Sequence, residues 1–94
     1  MTITITALCV DGLRLVFAPP VTLRQEVIDG VLMYSEPELG MHVLSGPYEE
    51  MIAGAKDDIA WLWRSYAAAE DAELSEDAIR LKRHLLEIGK EIPS

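Results

Sequence analysis

Residues 2–18 read TITITALCVDGLRLVFA, and the reading of this stretch decides the fold. Thr2 to Val10 is rich in β-branched residues, Leu13 to Ala18 is again mostly apolar, and Asp11-Gly12 stands between them. Two such runs joined by Asp-Gly are the strongest short-range signal for a β-hairpin with a type I′ turn, whose two central residues both need positive φ. A two-residue loop then sets the register, with Val10 opposite Leu13, Leu8 opposite Leu15 and Thr6 opposite Phe17. Leu8, Val10, Leu13, Leu15 and Phe17 share one face and are expected to meet the rest of the core. The other face carries Ile5, Ala7, Cys9, Val16 and Ala18 with Arg14 as its only charge, which is more apolar than a solvated sheet face normally is.

Working outward, Pro19-Pro20 cannot donate backbone hydrogen bonds and predicts a corner or an edge after the first hairpin. Asp29-Gly30 divides Thr22 to Ile28 from Val31 to Glu36, which predicts a second hairpin with Ile28 opposite Val31 and Val27 opposite Leu32. Glu36-Pro37-Glu38-Leu39-Gly40 reads as a turn, and Met41 to Leu44 as a short final strand.

From Pro47 the period changes. Tyr48, Met51, Ile52, Ala55, Ile59, Leu62 and Tyr66 recur at three- and four-residue spacings, the stripe of an amphipathic helix running to about Ala69. Gly46 is its expected N-cap and Pro47 its first residue, with Glu49 and Glu50 favourably placed against the helix dipole. After an acidic loop at Glu70 to Glu73, Ser75 caps a second helix extending toward Glu91, with Leu74 and Ile79 at staple positions. Its core stripe is Ala78, Leu81, Leu85, Ile88 and Ile92. Gly89 could end the regular helix early, and Pro93 limits any continuation. The expected fold is therefore α+β, a mostly antiparallel sheet of about five strands (two hairpins plus one strand) packed against two C-terminal helices in one domain spanning residues 1–94.

Sixteen acidic residues against eight basic ones give a formal charge of -8. Such a balance argues against autonomous binding to nucleic acid or an anionic membrane and favours basic partners. The simpler reading of the same balance is a solvated surface, because charge alone speaks to solubility and association. The lone Cys9 cannot form an intramolecular disulfide, nothing resembles a signal peptide, and no apolar run is long enough to span a bilayer. A cytoplasmic location is expected. At this size the surface is large for the core, so a homodimer hiding further apolar area is also expected.

Few residues suggest chemistry. His42 and His84 are far apart and have no second Cys or His at ligand spacing, so no metal is expected; His42 is expected to pack in the last strand and His84 to be solvated. Cys9 lies within a strand, Ser75 is better explained as a cap, and Ser45 has no nucleophile-elbow motif around it. The carboxylate pairs Glu49-Glu50 and Asp57-Asp58 are adjacent in helical sequence and point in different directions. No glycine-rich phosphate loop is present, and Arg80, Lys82, Arg83 and His84 fan around their helix. No enzymatic activity and no cofactor are expected.

Trp61 is the most informative single residue. It falls on the side of the first helix away from the core stripe, near Asp57 and Arg64. Trp and Arg are enriched at interface hot spots, which makes Trp61, Asp57 and Arg64 the candidate partner-binding set. The alternative is that Trp61 tucks against a loop of its own chain.

The stretch from Val31 to Met51, VLMYSEPELGMHVLSGPYEEM, followed by a long amphipathic helix, resembles the core of the HicB-type antitoxin family. In that family a strand, a turn containing proline, leucine and glycine, another strand and a helix start with paired glutamates follow in this order. Pro37, Leu39, Gly40, Gly46, Glu49 and Glu50 match in kind. The resemblance implies a non-enzymatic protein that binds a small basic RNA-cleaving toxin. The DNA-binding module typical of the family is not supplied by the helix beginning at Ser75. Two other classes stand beside this one: a homodimeric interaction module, and an acidic inhibitor that imitates nucleic-acid charge.

Overall fold

The computed structural model describes residues 2–93. The fold is α+β, an antiparallel sheet with two helices. In chain order it consists of β1 (Thr2–Val10), β2 (Leu13–Ile28), β3 (Val31–Glu36), β4 (Met41–Leu44), α1 (Tyr48–Leu62), a π-helical turn (Trp63–Ala67), a 3-10 turn (Asp71–Glu73), α2 (Glu76–Ile88) and β5 (Gly89–Glu91). The sheet order is β1-β2-β3-β4, with β5 also paired to β2. Ile3, Ile5, Leu8, Leu15, Phe17, Val21, Leu23 and Tyr34 of the sheet form the core with Ala55, Ile59, Leu62, Trp63 and Leu85 of the helical layer.

Both Asp-Gly pairs are hairpin turns with positive φ at each residue: 48° and 85° at Asp11-Gly12, 51° and 78° at Asp29-Gly30. The pairs Val10–Leu13, Leu8–Leu15, Ile28–Val31 and Val27–Leu32 form as expected. Because a β-branched residue is strained at positive φ, Gly12→Val or Gly30→Val is expected to cost about 1 kcal/mol or more, measurable by urea denaturation.

The first hairpin departs from its simple register beyond Ala7. Ala7 pairs with Val16, yet Ile5 pairs with Val21, so Phe17 to Pro20 stand against Thr6 alone and Thr6 does not pair with Phe17. This bulge answers the puzzle of a strand with two apolar faces. β1 slips phase there, Thr6 and Ala7 are both exposed, and Ile5 turns into the core beside Leu8 instead of joining Cys9 on the outer face. Pro19-Pro20 therefore does not end a strand. Prolines are tolerated at a bulge, and β2 runs unbroken through them for 16 residues, so the two strands expected on either side of the prolines are one.

The fifth strand comes from elsewhere. α2 stops at Ile88 instead of continuing to Glu91, and Gly89, Lys90 and Glu91 pair with Phe17, Val16 and Leu15. A Cβ on Gly89 would come within 2.8 Å of both Phe17 and Trp63, so only glycine lets the chain leave the helix over these rings. The indole Nε1 of Trp63 then donates to Glu91 Oε1 at 3.2 Å.

The helices follow their predicted stripes with local differences. Pro47, not Gly46, occupies the N-cap position of α1, and Tyr48 is 60% exposed rather than part of the core. α1 gives way to the π-turn at Trp63, which buries Trp63 and Ala67 and leaves Tyr66 half-buried. Ser75 caps α2 as expected, its Oγ accepting from the amide of Ala78 at 3.2 Å. Within α2 Leu85 is fully buried, Ala78, Leu81 and Ile88 are half-buried, and Ile92 beyond it is exposed.

Candidate partner-binding surface

α1 buries Met51, Ala55, Ile59 and Leu62, so residues roughly opposite them face outward. Glu50, Asp57 and Trp61 fall on that outer side, Asp57 seven residues after Glu50 and four before Trp61, so that they follow one another along the helix surface. Trp61 is 59% exposed. It is braced from one side: the π-turn brings Tyr66 to it edge-on, with ring centroids 5.9 Å apart and planes at 82°. An edge-to-face pair of this kind is worth about 0.5–1.5 kcal/mol beyond its buried area and holds the indole in one orientation. Trp61 thus packs on a neighbour in its own helical segment while still presenting most of its surface to solvent.

Asp57 is exposed one turn before Trp61. Next to it, partial burial and then the charge of Asp57 raise the Asp58 carboxyl above the ordinary aspartate value. A carboxyl whose folded value is raised is disfavoured as an anion in the native state, so it opposes folding at neutral pH and less so as the pH falls through the raised value. Asp58→Asn is expected to stabilise the fold at neutral pH, and so raise the melting temperature, an effect held to roughly a few tenths of a kcal/mol because the group is mostly solvated. Thermal melts at neutral and acid pH check this, since the gain must shrink in acid.

Arg64 is exposed, but its guanidinium is already engaged. Nη2 donates to the carbonyl of Val10 at 2.9 Å and reaches that of Asp11 at 3.4 Å, tying the end of the helix to the first hairpin turn. The three residues singled out from the sequence thus divide: Trp61 and Asp57 form an open acidic-aromatic surface, while Arg64 anchors its edge.

Two of the basic groups of α2 are likewise engaged. Arg80 pairs with Asp77 at 3.5 Å, and Lys82 Nζ donates to Ala69 O at 2.6 Å and to Asp71 Oδ1 at 2.8 Å. That bond from Lys82 holds the Asp71 carboxyl below the ordinary value. His84 is half-buried and meets Glu38 at 3.1 Å, whereas His42 is exposed, the reverse of the burial expected for the two histidines. Side-chain direction alternates along a strand, and His42 stands between buried Met41 and half-buried Val43, so it points to the opposite side from them.

A cavity of about 660 Å³ opens where β5 and β3 leave the middle of β2 without a neighbour. Its walls include Pro19, Pro20, Arg24, Glu36 and the His84–Glu38 pair, and Ser35 on its border donates to Glu26 at 2.6 Å. Nothing in the sequence pointed to this notch, because its walls come from β2, from β3 with the turn after it, and from α2, which lie far apart in the chain. His84 Nε2 and Glu38 meet across its wall, and the Ser35 hydroxyl is hydrogen-bonded to the Glu26 carboxylate. Among the described residues, no cluster of three or more His, Cys, Asp or Glu side chains is placed to hold a metal ion, and no helix is long and apolar enough to cross a membrane.

Compared with known proteins, the chain matches no family model, no curated protein and no solved structure.

Proposed function

We propose that the protein is a non-enzymatic regulatory protein that binds a basic protein partner through the outer face of α1. The observation that carries this reading is Trp61, a large aromatic group held edge-on by Tyr66 yet 59% exposed, beside Asp57 and Asp58. A rigid indole next to carboxylates fits a Lys or Arg side chain, which gains a cation–π contact on the ring and an ion pair beside it. The likeness of the Val31 to Met51 stretch to HicB-type antitoxins narrows the partner to a small basic RNA-cleaving toxin, whose activity this protein would restrain by occupying its basic surface. The formal charge of -8 supports attraction of that kind.

Affinity capture from lysate of the source cell, at low and high salt, tests the proposal with wild type and Trp61→Ala in parallel. Wild type is expected to retain a small basic protein that high salt releases, because attraction between exposed charges is screened over about 10 Å at ordinary ionic strength. Trp61→Ala is expected to weaken the complex by about 2 kcal/mol or more, roughly 30-fold, with the far-UV circular dichroism unchanged. Recovery of the protein by itself at both salt concentrations rejects the reading.

A further inference from the structure

β1 lies at one edge of the sheet, paired only with β2. Thr2 to Val10 contains no charge and no proline, and it is one of the longer strands at nine residues. Native proteins protect such edges with charges, prolines or a cover, because an uncharged β-branched edge is a template for further pairing. The opposite edge strand, β4, is protected by being only four residues long. On β1 the one irregularity is the phase slip at Thr6.

Along this edge runs a groove of about 420 Å³ between β1 and α1, bounded on the strand side by Thr4 to Ala7. The helix side is built from Glu49, Ile52, Ala53 and Lys56, with exposed Tyr48 at its end. Read along α1, that stripe is an acid, two apolar residues, then a base. A two-fold axis passing between Ile52 and Ala53 places Glu49 of one copy opposite Lys56 of the other, and the reverse, with the apolar residues meeting at the centre. The stripe is therefore complementary to itself in antiparallel orientation, and the same axis runs the two β1 edges antiparallel.

We infer that the β1 edge and this stripe of α1 bind a second copy of the chain, forming a two-fold dimer with β1 beside β1 and α1 beside α1. The interface is isologous, so both copies cover their long free edge at once and the assembly closes. Trp61 projects from another side of α1, so this dimer stands whether or not the Trp61 face binds a partner.

Light scattering of the full chain tests it, with circular dichroism as the check on folding. Wild type is expected to give twice the 10.4 kDa chain mass at concentrations on the order of tens of micromolar. Lys56→Glu and, separately, Glu49→Lys each set like charges across the axis and are expected to weaken the dimer at least about tenfold. The double variant Glu49→Lys, Lys56→Glu restores the opposition and is expected to recover the dimer, while Trp61→Ala leaves it unchanged. A monomeric wild type overturns the inference. A dimer indifferent to both single substitutions, or not recovered by the exchange, overturns it as well.

Discussion

Replacing Gly89 by alanine is expected to destabilise the protein by about 2 kcal/mol or more, a large effect for the smallest possible side-chain change. The cause is steric and local. The added methyl carbon would stand 2.8 Å from a ring atom of Phe17 and 2.8 Å from one of Trp63, and 3.0 Å from the carbonyl oxygen of Leu85. Both rings belong to buried residues, so neither can swing aside into solvent. The φ of Gly89 is -114°, which any residue can adopt, so the penalty comes from crowding and not from the backbone. Gly54→Ala supplies the control, because a Cβ there meets nothing within 4 Å and alanine favours helix over glycine by about 1 kcal/mol. Urea denaturation of the two variants should move the midpoint in opposite directions.

Leu85→Ala is expected to cost about 3 kcal/mol, within the range for emptying a fully enclosed leucine site. Leu85 is 0% exposed and is the sole fully buried side chain of α2 among the described residues. Leu81 and Ile88 on the same stripe are half-buried, so they offer less to hold the helix in place. Since α2 leads directly into β5, loosening the leucine should release both elements together. Hydrogen exchange is expected to show amides of α2 and β5 losing protection before those of the β2–β3 hairpin. Uniform loss across the sheet would reject the idea that Leu85 anchors a separable unit.

Local chemistry made much of this architecture legible. Two Asp-Gly turns, the shift of period at Pro47 and the Ser75 cap act within a few residues, and each stands where the sequence placed it. What escaped depends on partners distant in the chain. The bulge opposite Thr6 reflects how Pro19-Pro20 is accommodated against β1, and β5 forms because Gly89 meets Phe17 and Trp63, two rings that no sequence window joins. Trp61 and Trp63, separated by Leu62 alone, have opposite fates: Trp63 is buried and bonded to Glu91, and Trp61 is exposed. Helical spacing distinguished Trp61 as off-core. It could not reveal that Tyr66 braces it or that Arg64 is bonded to the first turn, since both depend on how the chain continues past Leu62.

The pairing of Gly89 to Glu91 with Leu15 to Phe17 also bears on how the molecule is made. During synthesis the first hairpin leaves the ribosome early and can close its turn at once, while the flank of β2 that receives β5 stays vacant. That flank is filled only after residues 89–91 have emerged. Contacts between such distant parts of a sequence are slow to form because the intervening chain must be ordered first. The nascent protein therefore passes through a stage in which β2 exposes a partly apolar flank beside the uncharged β1, when a chaperone or a neighbouring nascent chain has the best opportunity to reach it.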